Sequence, residues 1–279
     1  VQPELVLARL LVLVLRGGIL GAALPTDLGQ IVQVLWLMLH FLNKNSSLHF
    51  QRWAVHLSKR MVGAILSIGL SPFLMNITAS LITVVINKSL ASYGGPMGDL
   101  SIGAYGIVGS VAMLFIMVVF GLNMGMQPIA GYNYGAKKMD RVLSVYKRTL
   151  ITGTAITTFG FLLAILFPRF IVGIFTDDAT LSGIATQALR IVLFAFPVVG
   201  FQVVTTYFFQ SIGKAKMSIF LSLSRQLIFL LPGLLLFPHF WGVNGVWVAM
   251  PVGDIIASLL TLFVIMWQRK KIEAGPTLA

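Results

Sequence analysis

The chain has 279 residues, of which 57% are hydrophobic and only 10% charged, and its mean hydropathy is +0.93. A water-soluble domain of that make-up could not solvate its own surface, and apolar runs this long exclude a β-barrel of short alternating strands, leaving helices as the spanning element. Cysteine is absent, which removes disulfides and thiolate metal sites, and the net charge of +12 is no nucleic-acid footprint because the basic residues sit between apolar runs.

The first run, 4–16, is short and carries Arg9 and Arg16, so it reads as a partial span. Seven longer runs follow, roughly 18–42, 61–88, 101–126, 149–175, 184–209, 217–240 and 243–267. Each approaches or exceeds the ~20 residues that a crossing helix needs. Segment 43–60, NKNSSLHFQRWAVHLSKR, is polar with scattered apolar residues; it reads either as an amphipathic surface helix between two lobes or as a solvated loop. Basic residues collect in alternate connections: Lys44, Arg52, Lys59 and Arg60; then Lys137, Lys138, Arg141, Lys147 and Arg148; then Lys214 and Lys216; finally Arg269, Lys270 and Lys271. The intervening connections hold only Asp99, Asp177 and Asp178. This alternation predicts that the basic connections and the C-terminus are cytoplasmic, in a multi-pass protein of the plasma (inner) membrane.

The run at Gly18 (GILGAALPTDLGQ) resembles the one at Gly242 (GVNGVWVAMPVGD), with Gly18, Gly21 and Gly29 matching Gly242, Gly245 and Gly253. Both run into a basic segment, so the repeat is parallel. If the second copy begins near residue 57, the first begins roughly 170 residues upstream of Val1. The expected organisation is then 1–42 as the end of an N-terminal lobe, 43–60 as a cytoplasmic linker, 61–268 as a C-terminal six-helix lobe and 269–279 as a cytoplasmic tail. The chain reads as an N-terminally truncated part of a protein whose first lobe is missing from it.

Residues 121–148, GLNMGMQPIAGYNYGAKKMDRVLSVYKR, carry a more specific signal. Gln127-Pro128-Ile129, Gly131-Tyr132-Asn133-Tyr134-Gly135-Ala136 and the following Arg141 resemble the multidrug and toxic compound extrusion (MATE) family, in its bacterial drug-efflux branch. FFQSIGKAK (208–216), SLSRQLIFLLP (222–232) and GVWVAMPVGD (245–254) agree with it. The resemblance implies an all-α membrane bundle: a C-terminal six-helix lobe plus one or two helices of the first lobe of a twelve-helix fold. On physical grounds Pro128 bends the end of its helix, Gly131 and Gly135 let backbones approach, and Gln127, Asn133 and the tyrosines can satisfy freed carbonyls. The stretch reads either as a helix-ending turn or as a contact for cargo.

Ionisable groups at membrane depth are functional candidates because their cost there must be offset. Asp254, near the middle of the last run, can exchange a coupling ion or sit paired at a helix break beside Pro251 and Gly253. Arg225, inside the run 217–240, can partner a carboxylate, a carbonyl or a headgroup. Lys88 and Arg190 fall towards helix ends, where snorkelling accounts for them. Asn76, Gln127, Gln202, Tyr207 and Gln210 are cavity candidates or bonds between helices. The resemblance also implies a coupling aspartate in the first helix and, in some members, an acid in the seventh; this chain lacks the former helix, and 61–88 has no acid.

The expected function is antiport: export of cationic amphipathic drugs or toxic compounds against protons or sodium, by rocking of two lobes. No cofactor beyond that ion, no metal and no nucleic acid is expected; cargo and membrane lipid are the partners. A lipid-linked precursor flippase of the same superfamily, or an inactive transporter fragment, are the alternatives. An enzyme is not indicated, since His40, His49, His56 and His239 lack ligand spacing and no nucleophile motif occurs.

Overall fold

The structure is a computed structural model that describes residues 18–43 and 58–273. Two compact units divide the chain after Leu66. In the first, helix α1 (Gly18–Leu42) is apolar on every face, with Val32, Leu35, Trp36 and Leu39 all exposed. A helix apolar all round belongs in lipid or against other helices. The expected linker 43–60 lies almost wholly outside the described residues.

The second unit holds the rest of α2 (Lys59–Gly94), then α3 (Gly98–Gly135), α4 (Met139–Leu166), the short α5 (Pro168–Gly173), α6 (Ala179–Val192), α7 (Phe196–Ser211), α8 (Ala215–Leu223), α9 (Leu231–Trp241) and α10 (Val243–Glu273). A 3-10 turn, Leu193–Ala195, joins α6 to α7, and a π-helical segment, Ser224–Leu230, joins α8 to α9. Five continuous helical stretches are long and apolar enough to cross a membrane. The first, Asn76–Gly135, has 60 residues, about 90 Å if straight and some three times the hydrocarbon thickness. It doubles back at Gly95, where φ is +51°, so that Ile82 and Ile86 of α2 share one core with Ala104, Val108 and Val111 of α3. The unit therefore has six crossings, and the chain is a multi-pass helical membrane protein.

Prolines set the departures from the expected runs. The run 149–175 is a helix that already starts at Met139 and stops at Leu166; Phe167 leaves helical geometry, and Pro168 opens α5. Proline suits a first helical turn, where its missing N–H is not needed. Pro197 likewise withholds a hydrogen bond from Leu193, where the 3-10 turn falls. At the start of α6, Asp178 Oδ1 accepts the N–H groups of Thr180 (2.7 Å) and Leu181 (2.9 Å), an N-cap.

The core has two centres. One surrounds Leu90, Leu189, Leu234 and Trp247; the other surrounds Met126, Phe208, Phe209 and Leu221. Polar contacts close the two ends of the bundle. At one, the Tyr93 hydroxyl lies 3.2 Å from His239 Nδ1, and Gln187 Nε2 donates to Asn244 Oδ1 at 3.3 Å. At the other, Lys214 Nζ donates to Gln268 Oε1 at 3.3 Å. The basic turns around Lys137 and Lys214 share that second end, since a methyl on Gly131 would lie 3.1 Å from the Ser211 carbonyl.

Candidate functional site

A cavity of about 370 Å³ opens inside the second unit, bounded by α2, α3, α7, the π segment and α10. Most of its wall is apolar: Ile82 and Ile86 from α2, Val108 and Ala112 from α3, Phe196 and Val199 from α7. Its polar patch is Arg225 and Gln226 on the π segment with Asp254 on α10. Arg225 Nε donates to Asp254 Oδ1 at 2.7 Å, the one ion pair among the described residues. The side chains are 31% and 14% exposed, so the pair is neither dry nor on the surface.

Local backbone explains how the patch is assembled. Neighbouring residues of an α-helix point about 100° apart, whereas Arg225 and Gln226 lie in a wider π turn, a feature that tends to sit at functional sites, and both reach the cavity. Gly253 lets α10 lie against that turn, because a methyl there would stand 3.2 Å from the Leu230 Cα and 3.3 Å from its N. Asp254 follows directly. Ser258 Oγ donates to the Asp254 carbonyl (2.7 Å) and lies 3.2 Å from the Val198 carbonyl, tying α10 to α7. Asp254 was expected beside a helix break; α10 instead runs unbroken through Pro251, and the carboxylate is held by pairing.

The pair uses little of its bonding capacity. A guanidinium has five N–H donors and a carboxylate about four acceptor sites. Among the described residues, neither Nη group of Arg225 nor Oδ2 of Asp254 has a hydrogen-bond partner, and Gln226 Oε1 is buried without one.

Asn76, Gln127, Gln202, Tyr207 and Gln210 do not line this cavity. Gln202 is buried one residue from Val203, which does line it, and the helical rotation turns its side chain away into the packing. Gln127 and Gln210 stand seven residues beyond the lining residues Phe120 and Val203, on the same stripes but about 10 Å nearer the basic end. Both are exposed. Half-buried Tyr207 packs its ring 5.7 Å from Phe120, and Asn76 is exposed on α2.

The 127–136 motif forms the end of α3 and the turn after it. The helix continues through Pro128 to Gly135, so the proline does not terminate it. Asn133 is buried and donates from Nδ2 to the Ile129 carbonyl at 2.8 Å, Tyr134 packs on the second core, and Tyr132 is 77% exposed. Gly131 makes the expected close approach; Gly135 does not, as a methyl there would meet nothing within 4 Å. Beyond it Lys137 adopts φ +58° while Lys138 N–H bonds the Asn133 carbonyl at 2.9 Å. The same turn ends α7, with Gly213 at φ +76° and Lys214 N–H on the Phe209 carbonyl at 2.9 Å.

Sequence reasoning missed Gln226, whose position depends on the π turn, and Asn123, fully buried in α3 with neither amide atom partnered among the described residues. Neither stands out in a sequence where polar residues dot every span.

The MatE family profile matches residues 72–235. Over 255 residues the chain is 23% identical to the multidrug export protein MepA of Staphylococcus saprophyticus, covering 91% of this chain and 55% of that protein. Over 272 residues it is 22% identical to MepA of Staphylococcus aureus, covering 98% and 59%. Two solved structures of a multidrug resistance MATE family transporter of the MOP superfamily share the fold at 22% identity. The outward-facing one has a TM-score of 0.82 over 99% of this chain and 61% of that chain, the inward-facing one 0.77 over 97% and 62%. The chain thus spans little more than half the length of the relatives it matches. The matched profile covers more than half of the chain and takes in the motif turn, the doubled-back hairpin and Arg225 of the polar patch: the chain belongs to the MatE family.

Proposed function

We propose that this chain supplies one complete lobe of a secondary transporter that exports amphipathic drugs and toxic compounds, cationic ones among them, in exchange for protons or sodium. The observation that carries the reading is the cavity, apolar on most sides and holding one ion pair at membrane depth. Such a space suits a greasy body with a polar head, and charge inside a membrane bundle is retained where a pathway needs it. Tyr207, Gln127 and Gln210 continue its stripes towards the basic end and offer polar stations along an exit route. A proton or sodium ion arriving at Asp254 competes with Arg225 for the carboxylate, which links the ion to the state of the cavity. The lobe rocks against a first lobe around the cavity. One guanidinium does not make the cationic lining that a polyphosphate lipid requires, so nothing in the cavity favours the flippase.

The decisive experiment is dye efflux from cells expressing the chain alone and joined behind a first lobe. Export by the two-lobed protein that collapses with a proton or a sodium ionophore is expected. No export, or export indifferent to both ionophores, overturns the antiport reading. Orientation is separately testable because the protein has no cysteine. A single cysteine at Lys216 should be labelled only from the cytoplasm and one at Asp177 only from outside.

A further inference from the structure

We propose that the cargo head recognised in the cavity is zwitterionic, a protonated amine and an acid group carried together, rather than a bare cation. The inference rests on the cavity being the cargo site and narrows what that site accepts.

The argument starts from net charge. Arg225 and Asp254 are the only charged side chains in the cavity wall, and they are joined at 2.7 Å. Their sum is zero. A bare cation that approaches Asp254 is repelled by the guanidinium next to it, and a bare anion meets the mirror problem. In a space of low polarity neither penalty is screened. A head with both charges meets neither, provided it lies antiparallel to the pair.

The unused bonding positions match that arrangement. Nε of Arg225 is engaged, while its two Nη groups have no partner among the described residues. Two parallel N–H groups are the geometry that binds a carboxylate with both oxygens. On the other side, Asp254 Oδ2 and the buried, unpartnered Gln226 Oε1 are acceptors without donors. An amine bearing N–H bonds can donate to both. A quaternary ammonium cannot, and would leave Gln226 Oε1 unsatisfied, a cost of the kind that makes hydrogen-bonding sites selective. The body then lies on the facing apolar wall of Ile82, Ile86, Val108 and Ala112.

The test uses three probes with one aromatic body: 3-(2-naphthyl)alanine, which is zwitterionic; 2-(2-naphthyl)ethylamine, the cation; and 3-(2-naphthyl)propionate, the anion. Equilibrium binding to the purified chain in lipid nanodiscs is read from naphthyl fluorescence. The amino acid should bind about ten-fold tighter than either single-charge probe, one decade for the second ion pair. Arg225→Gln should bring the amino acid to the level of the amine, and Asp254→Asn to the level of the acid. Gln226→Met should weaken the amino acid and the amine several-fold while leaving the acid unchanged. If Arg225→Gln fails to fold, Arg225→Lys keeps the charge without the fork and should still lose most of the preference.

Tightest binding by the amine or the acid, or equal binding by all three, overturns the zwitterion inference while leaving the export reading intact. A preference for the amino acid that survives both Arg225→Gln and Asp254→Asn also overturns it. Absence of saturable binding by all three overturns the cavity as the cargo site, and the inference with it.

Discussion

The two contacts that α7 and α10 make inside the second unit are built on opposite principles. Where α7 meets α4, small residues let the backbones touch: a methyl on Gly200 would fall on Thr157 Oγ1 and the Gly153 carbonyl, and one on Gly153 would meet Val204 at 2.8 Å. This is the most extensive helix contact in the unit. Where α10 meets the π segment, the backbones touch only at Gly253, and beyond it the helices part around a cavity bridged by Arg225 and Asp254. In lipid, where apolar surface alone gives helices little reason to associate, close packing supplies cohesion. The α4–α7 seam therefore holds the lobe together, and the α10 seam gives up packing for a polar space.

Gly200→Val is the most direct way to break the first seam. Its branches would force α4 and α7 apart, costing at least about 3 kcal/mol, at the upper end of overpacking effects. Size-exclusion recovery and thermal unfolding in detergent should show little folded protein. Gly109→Ala is the contrasting change: Gly109 borders the cavity, and a methyl there meets nothing within 4 Å. It should be neutral or gain up to about 1 kcal/mol from helix propensity. Equal losses from the two would erase the distinction between the seams.

For the second seam the informative quantity is the coupling between two charges. Arg225→Met leaves Asp254 at membrane depth without its counter-charge, and Asp254→Leu does the reverse. Breaking a buried pair costs about 3–5 kcal/mol; with Arg225 31% exposed, about 1–3 kcal/mol is expected for each. The double variant should be more stable than either single one, because two apolar residues leave no charge stranded. A double-mutant cycle on unfolding reads this directly, and strictly additive losses would mean that the pair has no role in stability.

A subtler probe returns to the first seam. Tyr146 lies on Phe208, with ring centroids 4.3 Å apart, and its hydroxyl is 2.9 Å from Thr205 Oγ1. Thr205 already donates to the Phe201 carbonyl at 2.8 Å, so the tyrosine is the donor across the seam. Tyr146→Phe keeps the ring and loses that bond, for about 0.5–1.5 kcal/mol. A loss as large as that of Gly200→Val would mean that hydrogen bonding, rather than close packing, holds α4 to α7.

How far the sequence reaches differs between the seams for the same physical reason. Composition and run length identify the spans, because the bilayer imposes one length and one polarity on each of them. The motif 127–136 identifies the family, and charge at depth singles out Arg225 and Asp254. Their 2.7 Å contact is not legible, since it depends on which helices are neighbours and on a π turn that no residue in SLSRQLIFLLP announces. Gln226 is invisible for that reason. Gln127, Gln202 and Gln210 look equally eligible in sequence, yet whether a polar residue faces a cavity is decided by a rotation of about 100° per residue against partners that one chain of letters does not show.

The smallest expected effect lies outside both seams and calibrates them. The turns that end α3 and α7 have the same hydrogen bonds, but Lys137 occupies the left-handed position in one (φ +58°) and Gly213 in the other (φ +76°). An L side chain pays roughly 1–2 kcal/mol to sit there, and glycine does not. Lys137→Gly should therefore stabilise the protein; the looser unfolded chain takes back part of the gain, leaving about 0.5–1 kcal/mol. Gly213→Ala should cost about as much in the opposite sense. Thermal unfolding of the two variants measured together tests this as a difference of sign. Two losses would show that the Lys137 side chain, rather than its backbone, holds the first turn, and the near-identity of the two helix ends would then be one of shape alone.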